Sequence, residues 1–207
     1  MINENCLQKR YADVSHLAEI IEIILISLGV FLTPLVIPQI LSFIFGANSF
    51  LATNSQFVVG AIVNTSLVIA GINLKGWKKI FAIVFLPSIS ALFSGLVLNL
   101  SAIYTVYMIP AIWLGNFALV YLFKFLFVSK KVNYILTSIC AILTKATIIF
   151  AGYHILLWSN IIPQNSKVAT VLFTSMGINQ VITAIMGCSI AFVLVKLLYS
   201  SKKEAQI

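Results

Sequence analysis

Six long apolar runs constrain this chain more than any other feature of its sequence. They lie at about residues 20–44, 57–74, 80–98, 102–126, 132–158 and 168–198. A helix needs about 20 mostly apolar residues to cross the hydrocarbon core of a bilayer. Charged residues make up only 9% of the chain, against about 25% in a soluble domain. The runs therefore predict an all-α membrane protein, a compact bundle of six transmembrane helices embedded in the lipid bilayer.

The basic residues predict how the bundle is oriented. Eleven of the 13 lysines and arginines fall in or beside the two ends of the chain and alternate connections between the runs. Cytoplasmic connections are enriched in such residues, so both termini are predicted to be cytoplasmic. Residues 1–207 then form a single transmembrane domain, with a cytoplasmic leader at 1–17 and a cytoplasmic tail at 199–207. The net charge of +8 reflects this topology, and no nucleic-acid partner is expected.

The first run contains two prolines, Pro34 and Pro38, and a polar stretch follows it at residues 53–56. Proline removes a backbone donor and kinks or ends a helix. The pattern predicts that residues 38–56 form a loop on the outer side, folded partly over the bundle. A kinked helix followed by an exposed turn is the alternative.

Lys145 is the one charged residue near the middle of an apolar run. It lies 13 positions from each end of the run at 132–158, which is about 20 Å along a helix. A lysine at that depth costs at least about 2.5–3.5 kcal/mol on insertion and usually marks a functional site. Two roles stay open for Lys145: contact with a substrate or ion, and structural pairing with helix carbonyls or asparagine side chains.

Other candidate binding residues are polar or aromatic and lie at the depth of Lys145 or nearer the outer face. They are Asn64, Asn116, Gln180, Trp113, Tyr107 and His154. The amides have a rival role in hydrogen bonds between helices. Tyr107 has one in the aromatic belt at the membrane surface, and His154 has one as an interfacial histidine. Together with Lys145 they predict an outward-facing pocket with that lysine at its floor.

Catalysis is not expected of this chain. No aspartate or glutamate lies between Glu22 and Glu204, so the second to sixth runs offer neither a pair of carboxylates nor an acidic metal site. Zinc-protease, nucleophile-elbow and Walker motifs are absent from the sequence, and its three cysteines lack metal-ligand spacing. We therefore expect no catalytic residues, no metal and no cofactor, and any use of ATP requires partner subunits.

Several short segments resemble the substrate-binding S components of energy-coupling factor (ECF) transporters. They are Gly-Ala-Ile-Val-Asn at 60–64, Leu-Pro-Ser at 86–88, Ile-Pro-Ala-Ile-Trp-Leu-Gly-Asn at 109–116 and Met-Gly-Ile-Asn-Gln at 176–180. The long connection after the first run adds to the likeness, which covers about residues 20–198. The chain departs from these proteins in one motif. Many S components have Ala-x-x-x-Ala on the first helix, where a transmembrane coupling protein docks, and this chain has Gly29 and Thr33 instead.

The resemblance implies capture of a vitamin or related micronutrient at the outer face of a bacterial inner or plasma membrane. It also implies that the connection after the first run acts as a lid, and that the partners are a transmembrane coupling protein and two cytoplasmic ATPases. Two other functions stay open. One is a stand-alone secondary permease with Lys145 as its coupling charge, and the other is a non-transport scaffold or assembly subunit.

Overall fold

The computed structural model describes residues 16–93, 102–164 and 166–204, and within them the chain is helical without strands. This confirms the predicted all-α class. The helices are α1 (His16–Phe45), α2 (Phe50–Thr53), α3 (Ser55–Asn73), α4 (Trp77–Phe93), α5 (Ala102–Leu122), α6 (Tyr134–Trp158), α7 (Lys167–Met176) and α8 (Ile178–Glu204). A π-helical segment, Phe123–Ser129, extends α5.

Five stretches are long and apolar enough to cross a membrane. They are Glu19–Phe45, Ser55–Asn73, Val106–Ser129, Tyr134–Trp158 and Lys167–Leu197. Helix α4 has 17 residues; the rest of the predicted third span, residues 94–98, lies outside the described residues. The chain is thus a multi-pass membrane protein by the length and composition of its helices, and the count of six spans stays a prediction.

The outward faces of the helices are apolar. On α1, Leu25 is 64% exposed and Phe43 is 91% exposed. Large contiguous apolar surface of this kind marks contact with a membrane or another protein. Lipid contact explains it here, because the exposed residues continue along helices of membrane-spanning length.

Helix α1 runs without interruption through Pro34 and Pro38. The prediction of a loop beginning at residue 38 was therefore wrong for residues 38–45. Membrane helices tolerate proline where neighbouring hydroxyl groups satisfy the freed backbone. Pro34 and Pro38 free the carbonyls of Val30 and Pro34, and the hydroxyl groups of Thr33 and of Ser90 in α4 donate beside them, to the carbonyls of Gly29 and Phe31.

The connection after α1 is consequently shorter than predicted and covers residues 46–54. Gly46 starts it with a φ of +86°, a conformation that favours glycine. Ser49 then caps the short helix α2 by accepting a hydrogen bond from the backbone N–H of Ala52 at 3.2 Å. Phe50 of this segment is 74% exposed, and the segment contributes no side chain to the cavity described below.

The last apolar run, predicted as one span over about 168–198, corresponds to the stretch Lys167–Leu197. A break at Gly177, which was not predicted, divides it into α7 and α8. Gly177 has a ψ of −94°, outside the helical range. A Cβ atom at this position would lie 2.7 Å from the carbonyl oxygen of Phe173. Glycine avoids this clash because it has no Cβ atom. Across the break, Gln180 Nε2 donates a hydrogen bond to the carbonyl of Ser175 at 3.4 Å.

Glycines allow the closest helix contacts in the bundle. A Cβ atom at Gly60 of α3 would lie 2.7 Å from Thr183 Cγ2 of α8, and one at Gly115 of α5 would lie 2.7 Å from Ile149 Cγ1 of α6. Small residues at such crossings let backbones approach closely, which is the main source of helix association in lipid.

Basic connections meet at one end of the bundle. Glu19 of α1 pairs with Lys79 of α4 at 2.9 Å and accepts a hydrogen bond from the backbone N–H of Lys75 at 3.2 Å. Lys124 Nζ donates to the carbonyl of Leu74 at 2.5 Å. These contacts bring the start of α1, the connection at residues 74–79 and Lys124 together on one side of the protein. Which side of the membrane this is stays a prediction from the charge pattern.

Candidate functional site

A cavity of about 320 Å³ lies among α1 and α3–α8. Its polar lining residues are Gln56, Asn64, Ser88, Asn116, Lys145, Ser175, Gln180 and Thr183. Its other lining residues are Pro34, Val59, Gly60, Val63, Pro87, Ala91, Leu92, Ile109, Ile112, Val171, Leu172 and Met176. A mostly apolar pocket of roughly 300–1,000 Å³ with a few placed polar groups is the usual form of a small-molecule site.

Lys145 is buried at the wall of this cavity, with 3% of its surface exposed. Its ammonium donates a hydrogen bond to Asn64 Oδ1 at 2.5 Å, so the structural pairing considered from the sequence is present. An ammonium has three N–H donors, and the described residues accept one of them. No carboxylate lines the cavity, and its wall therefore carries one lysine without an acidic partner.

Asn64 connects Lys145 to α8. Its Nδ2 donates to Thr183 Oγ1 at 3.3 Å, and Thr183 Oγ1 donates to the carbonyl of Asn179 at 2.8 Å. The lysine, the asparagine and the threonine come from α6, α3 and α8. This network holds the ammonium at a defined position between three helices.

Two other buried polar side chains at the cavity form no hydrogen bond with the described residues. Asn116 is 3% exposed, and no residue in the described part of the chain forms a hydrogen bond with its side-chain amide. Ser88 is 7% exposed, and its Oγ is buried without a partner there. Since buried polar groups are nearly always hydrogen-bonded, both are available to a bound molecule or to water.

Four of the predicted site residues thus share one cavity, although they come from four different apolar runs: Asn64, Asn116, Lys145 and Gln180. Their role in binding stays a prediction. Gln180 follows the break at Gly177, and Ser175 and Met176, which precede it, also line the cavity.

The other three predicted residues do not line this cavity. Trp113 packs against Phe85, with ring centroids 4.5 Å apart. Tyr107 is 52% exposed, and as it lies two positions from the lining residue Ile109, it points about 200° away around α5. His154 contacts the Phe150 ring edge-on at 4.4 Å between centroids.

These three residues were predicted from their depth in the membrane, and depth alone does not show which side of a helix a residue occupies. It also failed to select Gln56, Ser88, Ser175 and Thr183, which do line the cavity. The sequence contains a signal for two of these four residues. Ser88 belongs to the Leu-Pro-Ser segment, and Thr183 follows Gln180 by three positions, so it lies on the same helix face.

A second cavity, of about 370 Å³, lies between the end of α6 and the start of α7. It is lined by Tyr153, Leu157, Trp158, Gln164, Ser166, Ala169, Thr170 and Phe173. The buried hydroxyl group of Tyr153 donates a hydrogen bond to the carbonyl of Ala169 at 3.1 Å. No charged side chain lines this cavity, so the cavity at Lys145 is the better candidate site.

Comparisons with protein-family models, curated proteins and solved structures find no match for this chain. The resemblance to S components therefore depends on its four short segments. Each of them contributes residues to the cavity at Lys145: Gly60, Val63 and Asn64; Pro87 and Ser88; Ile109, Ile112 and Asn116; Met176 and Gln180.

Replacing Ser88 with alanine is expected to leave the free energy of unfolding unchanged or to raise it, because the Ser88 hydroxyl has no partner to lose and its burial without one is unfavourable. Thr65→Val is the matched comparison. Thr65 Oγ1 is hydrogen-bonded to the carbonyls of Ala61 at 2.8 Å and Gly187 at 3.1 Å, so its loss should cost about 1 kcal/mol. Unfolding in detergent measures both, and equal costs would show that Ser88 has a structural partner.

Proposed function

We propose that this protein is the membrane-embedded substrate-binding subunit of a micronutrient importer. It captures a small molecule from the outer face in the cavity at Lys145, and partner subunits use ATP to drive uptake. The observation that carries the proposal is the buried lysine at a cavity wall that holds further polar groups and no carboxylate.

The cavity at Lys145 is suited to the capture of a small molecule. Lys145 offers an ammonium to an anionic or carbonyl group of the ligand, while Asn116 and Ser88 offer hydrogen bonds that no described residue uses. Forming these bonds with a ligand satisfies groups that are otherwise buried without partners, and a hydrogen bond to a charged group contributes about 1.5–3 kcal/mol. Apolar side chains supply the rest of the contact area.

The partners belong to the same proposal. We infer a transmembrane coupling protein and two cytoplasmic ATPases, as in ECF transporters. The end of the bundle that carries Lys79 and Lys124 would then face the cytoplasm, and so would both termini.

Affinity purification from native membranes tests this function. The expected result is copurification of a membrane protein and two ATPases, together with uptake of the cargo that depends on ATP. Recovery of a stable partner unrelated to transport ATPases, with no bound small molecule, would support a scaffold or assembly subunit instead.

A stand-alone permease is the second candidate, and the break at Gly177 favours it. Secondary transporters commonly bind substrate beside discontinuous helices, and the residues flanking this break line the cavity. Proteoliposomes that contain only this protein distinguish the two functions. Accumulation of cargo driven by an ion gradient would identify a permease, whereas the importer subunit should bind cargo without accumulating it.

A further inference from the structure

We propose that the cargo is an organic monocarboxylate, and that its carboxylate binds between Lys145 and the first turn of α8. This inference rests on the proposed function, because it names the chemical class of the molecule captured in the same cavity. It is carried by three features: the start of a long helix inside the bundle, a buried lysine beside it, and buried polar side chains without partners.

Helix α8 begins beside the cavity rather than at the end of the bundle. The carbonyl of Gly177, just before α8, accepts a hydrogen bond from Val181 N–H at 3.4 Å. The N–H groups of the preceding helical residues have no acceptor within α8, and no described side chain caps them. The start of a 27-residue helix therefore presents partial positive charge.

Lys145 adds a full positive charge close to this turn. Its ammonium is linked to Thr183 through Asn64, by hydrogen bonds of 2.5 Å and 3.3 Å. Gln180 and Thr183 of α8 both line the cavity with Lys145. A lysine and a helix N-terminus at one site both favour a negatively charged ligand.

The unpartnered side chains of Asn116 and Ser88 show that the site is built for more than a bare ion. Both are more than nine-tenths buried, and both line the same cavity. An amide and a hydroxyl can each donate to a carboxylate oxygen or accept from another group of the ligand.

Charge balance indicates a single negative charge. One lysine and no acidic residue line the cavity, so a monoanion leaves the occupied site neutral, whereas a dianion such as phosphate leaves a buried charge uncompensated. The apolar side chains of α3, α4, α5 and α7 around the cavity require that the remainder of the ligand be apolar. These two conditions describe a monocarboxylate with an aromatic or aliphatic body.

Benzoate and its neutral isostere benzamide test the inference. Equilibrium dialysis of labelled benzoate is done on protein from which cargo has been removed by extended detergent washing, as checked by native mass spectrometry. The expected result is saturable binding of one benzoate per chain, with benzamide at least about tenfold weaker, as expected for loss of a charge-assisted hydrogen bond. Equal binding of the two, or no saturable benzoate binding, would overturn the proposal.

Gln180→Glu tests the position of the carboxylate. It places a carboxylate on the first turn of α8, where it competes with an added anion for Lys145, so benzoate affinity should fall at least about tenfold while the protein stays folded. Gln164→Glu, on an exposed connection outside this cavity, is the control and should retain wild-type affinity. Unchanged affinity in Gln180→Glu would remove α8 from the site. Should that variant fail to fold, Lys145→Met tests the lysine side of the site instead, and unchanged benzoate affinity there would overturn the proposal.

The two proposals fail in different ways. A wild-type protein that carries a neutral or cationic cargo, but shows no preference for benzoate, would contradict the monocarboxylate and leave the importer function standing. Binding of benzoate in a protein that has no transport partners and causes no uptake would contradict the importer function alone.

Discussion

Replacing Lys145 with methionine is expected to leave the protein folded and to weaken binding of its cargo by about tenfold to a hundredfold. That range corresponds to loss of one hydrogen bond to a charged group. Methionine keeps the length and most of the volume of the lysine side chain. The substitution removes a buried charge that has no acidic partner, which offsets the loss of the hydrogen bond to Asn64, so the temperature of unfolding in detergent should change little.

Asn64→Leu is the matched comparison, and its expected effect on folding is the opposite. The variant removes the acceptor of the Lys145 ammonium and leaves a charge buried without its protein partner. We expect a loss of about 1.5–3 kcal/mol in the free energy of unfolding. A Lys145→Met protein that unfolds as readily as Asn64→Leu would show that the lysine serves the fold rather than the ligand.

Gly187→Ala is expected to destabilise the bundle by about 1–3 kcal/mol, the usual cost of overpacking. A Cβ atom at this position of α8 would overlap Asn64 Cβ, and it would also lie 2.9 Å from the backbone nitrogen of Thr65 and 3.0 Å from the carbonyl oxygen of Ala61. Two of these three atoms belong to the backbone of α3, so relief requires the two helices to separate. Separation also moves Asn64, and cargo binding should weaken together with stability.

Gly29→Ala is the control for this substitution, because a Cβ atom at Gly29 has no neighbour within 4 Å. Alanine is a better helix former than glycine by about 1 kcal/mol, so this variant should be as stable as the wild type or more so. Unfolding of both variants in the same detergent measures the difference. Equal stabilities would contradict the close contact between α3 and α8.

Much of the fold was predictable because bilayer thickness and helix rise set the length of an apolar run. The runs at 57–74 and 132–158 correspond closely to α3 and α6. Depth also brought Asn64, Asn116, Lys145 and Gln180 into consideration together, since polar groups in lipid are rare and tend to face inward.

Two features of the fold could not be predicted from the sequence because they depend on tertiary contacts. Helix α1 continues past Pro34 and Pro38, and Ser90 of the neighbouring helix α4 donates to its Phe31 carbonyl. The break at Gly177 has no composition signal beyond one glycine in an apolar run, and the close approach of the Phe173 carbonyl becomes visible only in three dimensions. Similarly, the side of α5 that Tyr107 occupies depends on how that helix is rotated in the bundle.

Native mass spectrometry of the freshly purified protein tests most directly whether the cavity at Lys145 holds a cargo. Wild-type protein and Gly29→Ala should each carry one small molecule per chain, and folded Lys145→Met should carry it on a clearly smaller fraction of chains. Equal occupancy in the wild type and in Lys145→Met would contradict the central claim, and Lys145 would then be a structural residue paired with Asn64.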